Sequence, residues 1–206
     1  MIAIVDYGVG NLFSLSGSLA HIGVKTIITD KPDEIDAAQR VILPGVGAFG
    51  DAMDKLNEHS LVPVLNRQVE RGKPFLGICL GMQLLFEKSY EYGEHRGLGY
   101  LKGSVCPLTP DIPEGMKVPH MGWNSLRFIR PDDALLKNTR EGDYVYYVHS
   151  FYVKDCEDSL VAGSDYGTFV PGIVHSANVY GTQFHPEKSG AVGLGLLRAF
   201  CATPIR

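Results

Sequence analysis

Phe75-Leu76-Gly77-Ile78-Cys79-Leu80-Gly81-Met82-Gln83 places one cysteine between two glycines, where an apolar run gives way to helix-forming sequence. Pro74 to Ile78 reads as a buried strand, and a strand that passes directly into a helix forces its joining residue into strained backbone angles. Glycine on either flank removes side chains that so tight a turn would bring into collision. The thiol then stands clear of the backbone at the positive end of the next helix, where a thiolate is favoured. Taken alone, Gly-x-Cys-x-Gly has a plainer reading as a buried cysteine acting as a small hydrophobe. Other residues must separate the two.

Outward from this stretch, residues 1–90 alternate short apolar strands with amphipathic helices. This predicts an α/β fold, a doubly wound, mixed but mostly parallel sheet flanked by helices. Ile2 to Val5 is an apolar run ending in Asp6, and it leads through Tyr7-Gly8-Val9-Gly10 into a helix that Asn11 is placed to cap. Leu12, Leu15, Leu19 and Ile22 recur at helical spacing, and Gly23 suits the stop. Strands are expected over 25–29 and 40–43, then a loop from Pro44 to Gly50 and helical sequence to Arg71, broken near Ser60. In the second half, 144–151, 159–165, 173–177 and 179–184 are β-rich and predict antiparallel strands extending the sheet, before a last helix over 191–201. No repeat, low-complexity tract or linker interrupts the chain, so 1–206 reads as one domain. Gly8-Val9-Gly10 begins like a dinucleotide loop, but Phe13 stands where the third glycine belongs, and a tight strand-to-helix crossing accounts for the glycines.

The 19 basic and 23 acidic residues give a net charge of -4, with no Lys/Arg cluster long enough for a nucleic-acid track. The apolar stretch from Phe75 to Phe86 contains Gly77, Gly81 and Gln83, which do not suit lipid, and Met1 to Asp6 makes a poor secretion signal. A cytoplasmic protein with a small soluble substrate is expected, with no membrane and no nucleic acid. Cys79, Cys106, Cys156 and Cys201 are widely spread, with neither metal-site spacing nor disulfide density. No metal and no cofactor is expected, and Cys106, Cys156 and Cys201 read as packed small residues.

A cysteine nucleophile needs a base, and the seven histidines, His21, His59, His95, His120, His149, His175 and His185, differ in context. His21 lies on the first helix, His59 between helical segments and His95 in a polar loop. His149 closes a strand, and His175 sits within one. His185 ends the apolar run Tyr180-Gly-Thr-Gln-Phe184 and is followed by Pro186 and Glu187. Chemistry gathers at strand ends in α/β folds, and a carboxylate two residues on is positioned to orient the imidazole.

Gly77-Ile-Cys-Leu-Gly-Met-Gln83 together with Gln183-Phe-His-Pro-Glu-Lys-Ser189 strongly resembles the class I glutamine amidotransferases. The resemblance implies a Cys79-His185-Glu187 triad that hydrolyses the side-chain amide of glutamine. Ile4-Val-Asp-Tyr-Gly-Val-Gly-Asn-Leu12, Leu43-Pro-Gly-Val-Gly-Ala-Phe49 and Pro119-His-Met-Gly-Trp-Asn124 are similar to segments of the glutaminase subunits of imidazole glycerol phosphate synthases, from histidine biosynthesis. By that resemblance, Gly47 and Leu80 supply oxyanion-hole N–H groups, and Gln83, His149, Ser150 and Phe151 bind substrate. Met121, Trp123 and Asn124 would face the partner, a (β/α)8-barrel cyclase receiving ammonia within a heterodimer. A paralogous glutaminase serving another synthase, a stand-alone γ-glutamyl cysteine hydrolase and a non-catalytic chaperone of related fold are the competing readings.

Overall fold

The computed structural model describes residues 1–205. Its main sheet begins with four parallel strands, β1 (Ile2–Val5), β2 (Thr26–Thr29), β3 (Arg40–Gly45) and β4 (Phe75–Cys79), in the order β2-β1-β3-β4. Side chains alternate between the two sheet faces, and both faces of β1, β3 and β4 are buried, while the edge strand β2 is only partly covered. Ile2, Ile4, Ile42, Leu76 and Ile78 meet Leu15 and Leu19 of α1 (Leu12–His21) and Leu196, Leu197 and Phe200 of α6 (Gly190–Cys201). Ala3, Val5, Val41, Leu43 and Phe75 face the other way, toward α2 (Pro32–Ala37), α3 (Phe49–Glu58) and α4 (Val62–Glu70). The break between α3 and α4 falls at Ser60, which takes a left-handed φ of 54°.

The sheet continues with β14 (Val179–Thr182), which pairs with β4 in parallel. Then come β13 (Thr168–Ser176), β12 (Leu160–Tyr166) and β9 (Arg127–Phe128), all antiparallel. The predicted antiparallel extension is therefore present, but the strand ending near His185 is a parallel insertion beside the nucleophile strand.

Three expectations need correction. The 144–151 stretch is not a sheet-extending strand. It divides at Ser150 into β10 (Tyr144–His149), paired with β8 (His120–Ser125), and β11 (Phe151–Lys154). The latter joins β7 (Leu101–Pro107), β5 (Phe86–Ser89) and β6 (His95–Arg96) in a separate small sheet. His95 thus lies on a short strand and not in a loop. Asn11 makes no side-chain capping bond to α1. At the other end of α1, Gly23 does what its position predicts: with φ at 81° it donates to Ala20 O, while the Val24 N–H reaches Leu19 O.

Candidate active site

Cys79 ends β4 and precedes α5 (Leu80–Gln83), which is a single turn. The helix expected after the nucleophile is only this one turn, so little helix dipole stands behind the thiol. Cys79 itself adopts φ 55° and ψ -112°, backbone space that costs of order 1–3 kcal/mol for a residue with a Cβ. The glycines on either side make the turn possible. A Cβ on Gly81 would lie 1.8 Å from Leu43 O, and one on Gly77 would lie 2.5 Å from Gly81 O.

Because β14 runs parallel to β4 with Thr182 opposite Ile78, the chain leaving β14 emerges at the same end of the sheet as Cys79. That segment is clamped to β10. The His185 N–H donates to Tyr146 O at 3.0 Å, the Tyr146 N–H to Ser189 Oγ at 3.0 Å, and the Ser189 hydroxyl to His185 O at 2.7 Å. His185 Nδ1 lies 2.8 Å from Glu187 Oε1, an ion pair with both side chains almost wholly buried. The orienting carboxylate predicted from the His-Pro-Glu spacing is therefore in contact with the ring. Burial opposes an imidazolium, yet hydrogen bonding and charge attraction from Cys79 and Glu187 outweigh it and hold the His185 pKa well above the ordinary histidine range. The thiol also has long contacts of 3.9 Å to Val148 O and to Gln183 Nε2.

Cys79 and His185 open onto a cleft of about 350 Å³. Gly47, Leu80, Gln83, His149, Ser150 and Phe151 all line it, so the resemblance-derived residues come together although they are scattered along the chain. Gly47 has φ 99°, and nothing lies within 4 Å of where its Cβ would be. Gln83 donates both amide hydrogens internally, to Phe151 O at 3.0 Å and Gln183 Oε1 at 3.1 Å, which leaves its own oxygen as the acceptor for the cleft. The nitrogens of His149 are both engaged within the protein, Nδ1 with Phe151 O and Nε2 with His120 Nδ1, each at 2.9 Å. His149 therefore forms a wall of the cleft and offers it no free nitrogen.

On β8, Met121 and Trp123 are 64% and 56% exposed, and Trp123 stands edge-on to Tyr146 with ring centroids 6.0 Å apart. The tryptophan sits within a strand. Asn124 is turned inward instead, toward His120 and Asp165 O.

Two contributors escaped the sequence reading. Glu91 lines the cleft, buried except for a small surface, and its Oε2 accepts the Phe49 N–H at 2.7 Å; burial raises its pKa. It sits in a run of charged and polar residues that looks like solvated surface, and nothing in its spacing marks it out. Tyr7 is fully buried and donates its hydroxyl to Pro44 O at 2.8 Å, fixing the start of the Pro44–Gly47 loop. Its signal was present, a tyrosine in an otherwise small-residue loop next to a strand end. No group of three or more His, Cys, Asp or Glu among the described residues is placed to hold a metal ion.

A family model described as glutamine amidotransferase class-I matches residues 3–201. The chain belongs to the class-I glutamine amidotransferases. Relatives of this amidotransferase include the imidazole glycerol phosphate synthase subunit HisH of Aquifex aeolicus (strain VF5), 50% identical over 199 residues covering 96% of this chain and 94% of that protein. The same subunit from Bacillus cereus (strain B4264) is 52% identical over 201 residues, covering 97% and 93%. That from Bacillus subtilis (strain 168) is 49% identical over 203 residues, covering 97% and 95%. Among solved structures, the amidotransferase fold recurs in PurLQS from Thermotoga maritima, with TM-score 0.75 and 20% identity over 97% of this chain and 96% of that one. It also recurs in a structure titled glutamine amidotransferase, with TM-score 0.75 and 17% identity over 98% and 100%.

Proposed function

We propose that this amidotransferase is the glutaminase subunit of an imidazole glycerol phosphate synthase, releasing ammonia from glutamine for a (β/α)8-barrel cyclase. The observation that carries the chemistry is the buried Glu187–His185 pair beside a strained cysteine at the mouth of one cleft. The assignment to this synthase rests on relatives at about half identity over almost the whole chain.

In the proposed reaction the Cys79 thiolate attacks the γ-carboxamide carbon. His185 then gives its proton to the departing nitrogen, so ammonia leaves and a thioester remains. His185 next takes a proton from water, the resulting hydroxide adds to the thioester carbonyl, and glutamate and free thiol are regenerated. Glu187 holds the ring and stabilises its charged form. Each tetrahedral intermediate carries an oxyanion. The Leu80 N–H, at the first position of a helical turn and without a helical acceptor, is one donor for it; a peptide N–H of Val46–Gly47 is the second.

The amino-acid end of glutamine fits the opposite side of the cleft. Gln83 Oε1 and the Glu91 carboxylate are acceptors suited to an ammonium group. Ser150 and Phe151 present backbone to the carboxylate, since Ser150 O accepts from the Leu108 N–H and a trans peptide points its N–H the other way. Met121 and Trp123 would meet the cyclase, whose sheltered docking keeps ammonia from becoming ammonium, a poor nucleophile.

The test is glutamate release measured with and without the cyclase and its phosphoribosyl ligand. Low release alone and a large rise in the complex supports the assignment. High release by the isolated chain, unchanged by the cyclase, favours an independent hydrolase and overturns it.

A further inference from the structure

His120 and His149 are directly opposed across the β8–β10 pair and buried, 2% and 6% exposed, and neither has a role in the proposed proton transfers. Four hydrogen-bonding groups run in series through them. The amide nitrogen of Asn124 lies 3.3 Å from His120 Nε2, His120 Nδ1 lies 2.9 Å from His149 Nε2, and His149 Nδ1 lies 2.9 Å from Phe151 O.

The direction of this series is fixed independently from both ends. At the outer end the Asn124 amide also donates to Asp165 O at 3.0 Å, and its oxygen accepts the Ser125 N–H, so its nitrogen is the atom that faces His120. His120 Nε2 must then be bare and Nδ1 must carry the proton. At the inner end Phe151 O can only accept, so His149 carries its proton on Nδ1 and presents a bare Nε2. The two assignments meet without conflict at the 2.9 Å contact between the rings. Protonating either ring would set two N–H groups face to face there. Burial holds His149 low, to about 3, aided by the charges of His120 and His185, and burial alone lowers His120 to about 4. His120 is also held between the stacked rings of Tyr147 and Tyr166, with centroids at 4.5 and 4.0 Å.

The endpoint matters because Phe151 O receives two donors, His149 Nδ1 and Gln83 Nε2, which fill both of its lone pairs. We propose that His120 and His149 are positioning residues: a neutral pair of fixed tautomers that locks the Phe151 carbonyl and thereby holds the 149–151 rim and the Gln83 amide in their glutamine-binding arrangement. This rests on the reading of glutamine as the substrate.

Two measurements on the full-length protein, alone and with the cyclase, test it. Nitrogen-15 spectra of the histidine rings should show the Nδ1–H form at both positions, unchanged from about pH 5.5 to about 8.5. In steady-state glutaminase assays, His120→Phe keeps the stacking and loses the relay, and His149→Leu loses it altogether. Each should raise the KM for glutamine about five- to tenfold, the worth of roughly one hydrogen bond, with kcat changed less than about twofold. His149→Asn, which restores a donor near Nδ1, should recover most of the loss. An Nε2–H form or a charged ring at either site, or a wild-type KM in His149→Leu, overturns the proposal. A wild-type protein that releases no glutamate even in the complex removes the substrate reading, and the ring spectra then decide the relay by themselves.

Discussion

The strain at Cys79 makes a falsifiable statement about a single residue. Glycine takes φ 55° without penalty, so Cys79→Gly relieves conformational cost while removing the thiol. The expected outcome is total loss of glutaminase activity together with a Tm raised by about 2–4 °C, read by thermal melts; a lower Tm would mean that the elbow is not under strain. His185 gives a pH signature. Its pKa is raised to about 10 in the folded protein. The folded chain therefore keeps this proton where an unfolded imidazole has lost it. The resulting stabilisation is complete below about pH 6.5 and disappears as pH climbs through the folded value. In activity, the alkaline limb of kcat/KM should lie well above the usual histidine range, and an alkaline limb near pH 7 would contradict the ion pair. At this scale the sequence was most informative for Cys79, His185 and Glu187, whose proposed roles are read from local spacing. It was silent on Glu91 and His120, whose partners are distant in sequence, the Phe49 N–H at the start of α3 and His149 across the β8–β10 pair.

At the scale of elements, the proposed oxyanion loop has a definite place. Pro44 to Gly47 leaves β3 beside the elbow, pinned at one end by the Tyr7 hydroxyl and relaxed into left-handed space at Gly47. An added methyl at Gly47 meets nothing, so Gly47→Ala perturbs the backbone conformation and little else. The loss of one oxyanion donor should lower kcat about a hundredfold with a much smaller change in KM, and Gly47→Pro, which cannot adopt a positive φ, should be at least as severe. Unchanged kcat in both would rule the loop out as an oxyanion donor. Tyr7→Phe should give a weaker fall, about tenfold or less, because one anchoring bond is lost while the glycine remains. The β1–β4 half of the fold was legible because each strand is a short, mostly apolar run, and β1, β3 and β4 are buried on both faces. The 144–151 stretch misled because its composition is that of one long strand, and composition does not register the switch of sheet partner at Ser150.

For the molecule as a whole, the exposed pair Met121 and Trp123 lies on the strand that also carries His120. Trp123→Ala is expected to weaken cyclase binding by about 2 kcal/mol or more, the usual scale for a central aromatic contact. Its effect on the melting temperature of the isolated chain should be small, since more than half of the ring is already in water. Calorimetric titration checks the first and thermal melts the second, and wild-type affinity would move the docking face elsewhere. The sheet order has a consequence for synthesis. Gln183, beside the thiol, lies 104 positions beyond Cys79, and β14 is the strand that covers the apolar edge of β4. On the proposed mechanism, a ribosome therefore exposes Cys79 long before His185 and Glu187, the residues that would activate it. Until then the growing chain carries an inert thiol and an unpaired, aggregation-prone strand edge. A polypeptide cut short before β14 would be a client for chaperones and would waste no glutamine.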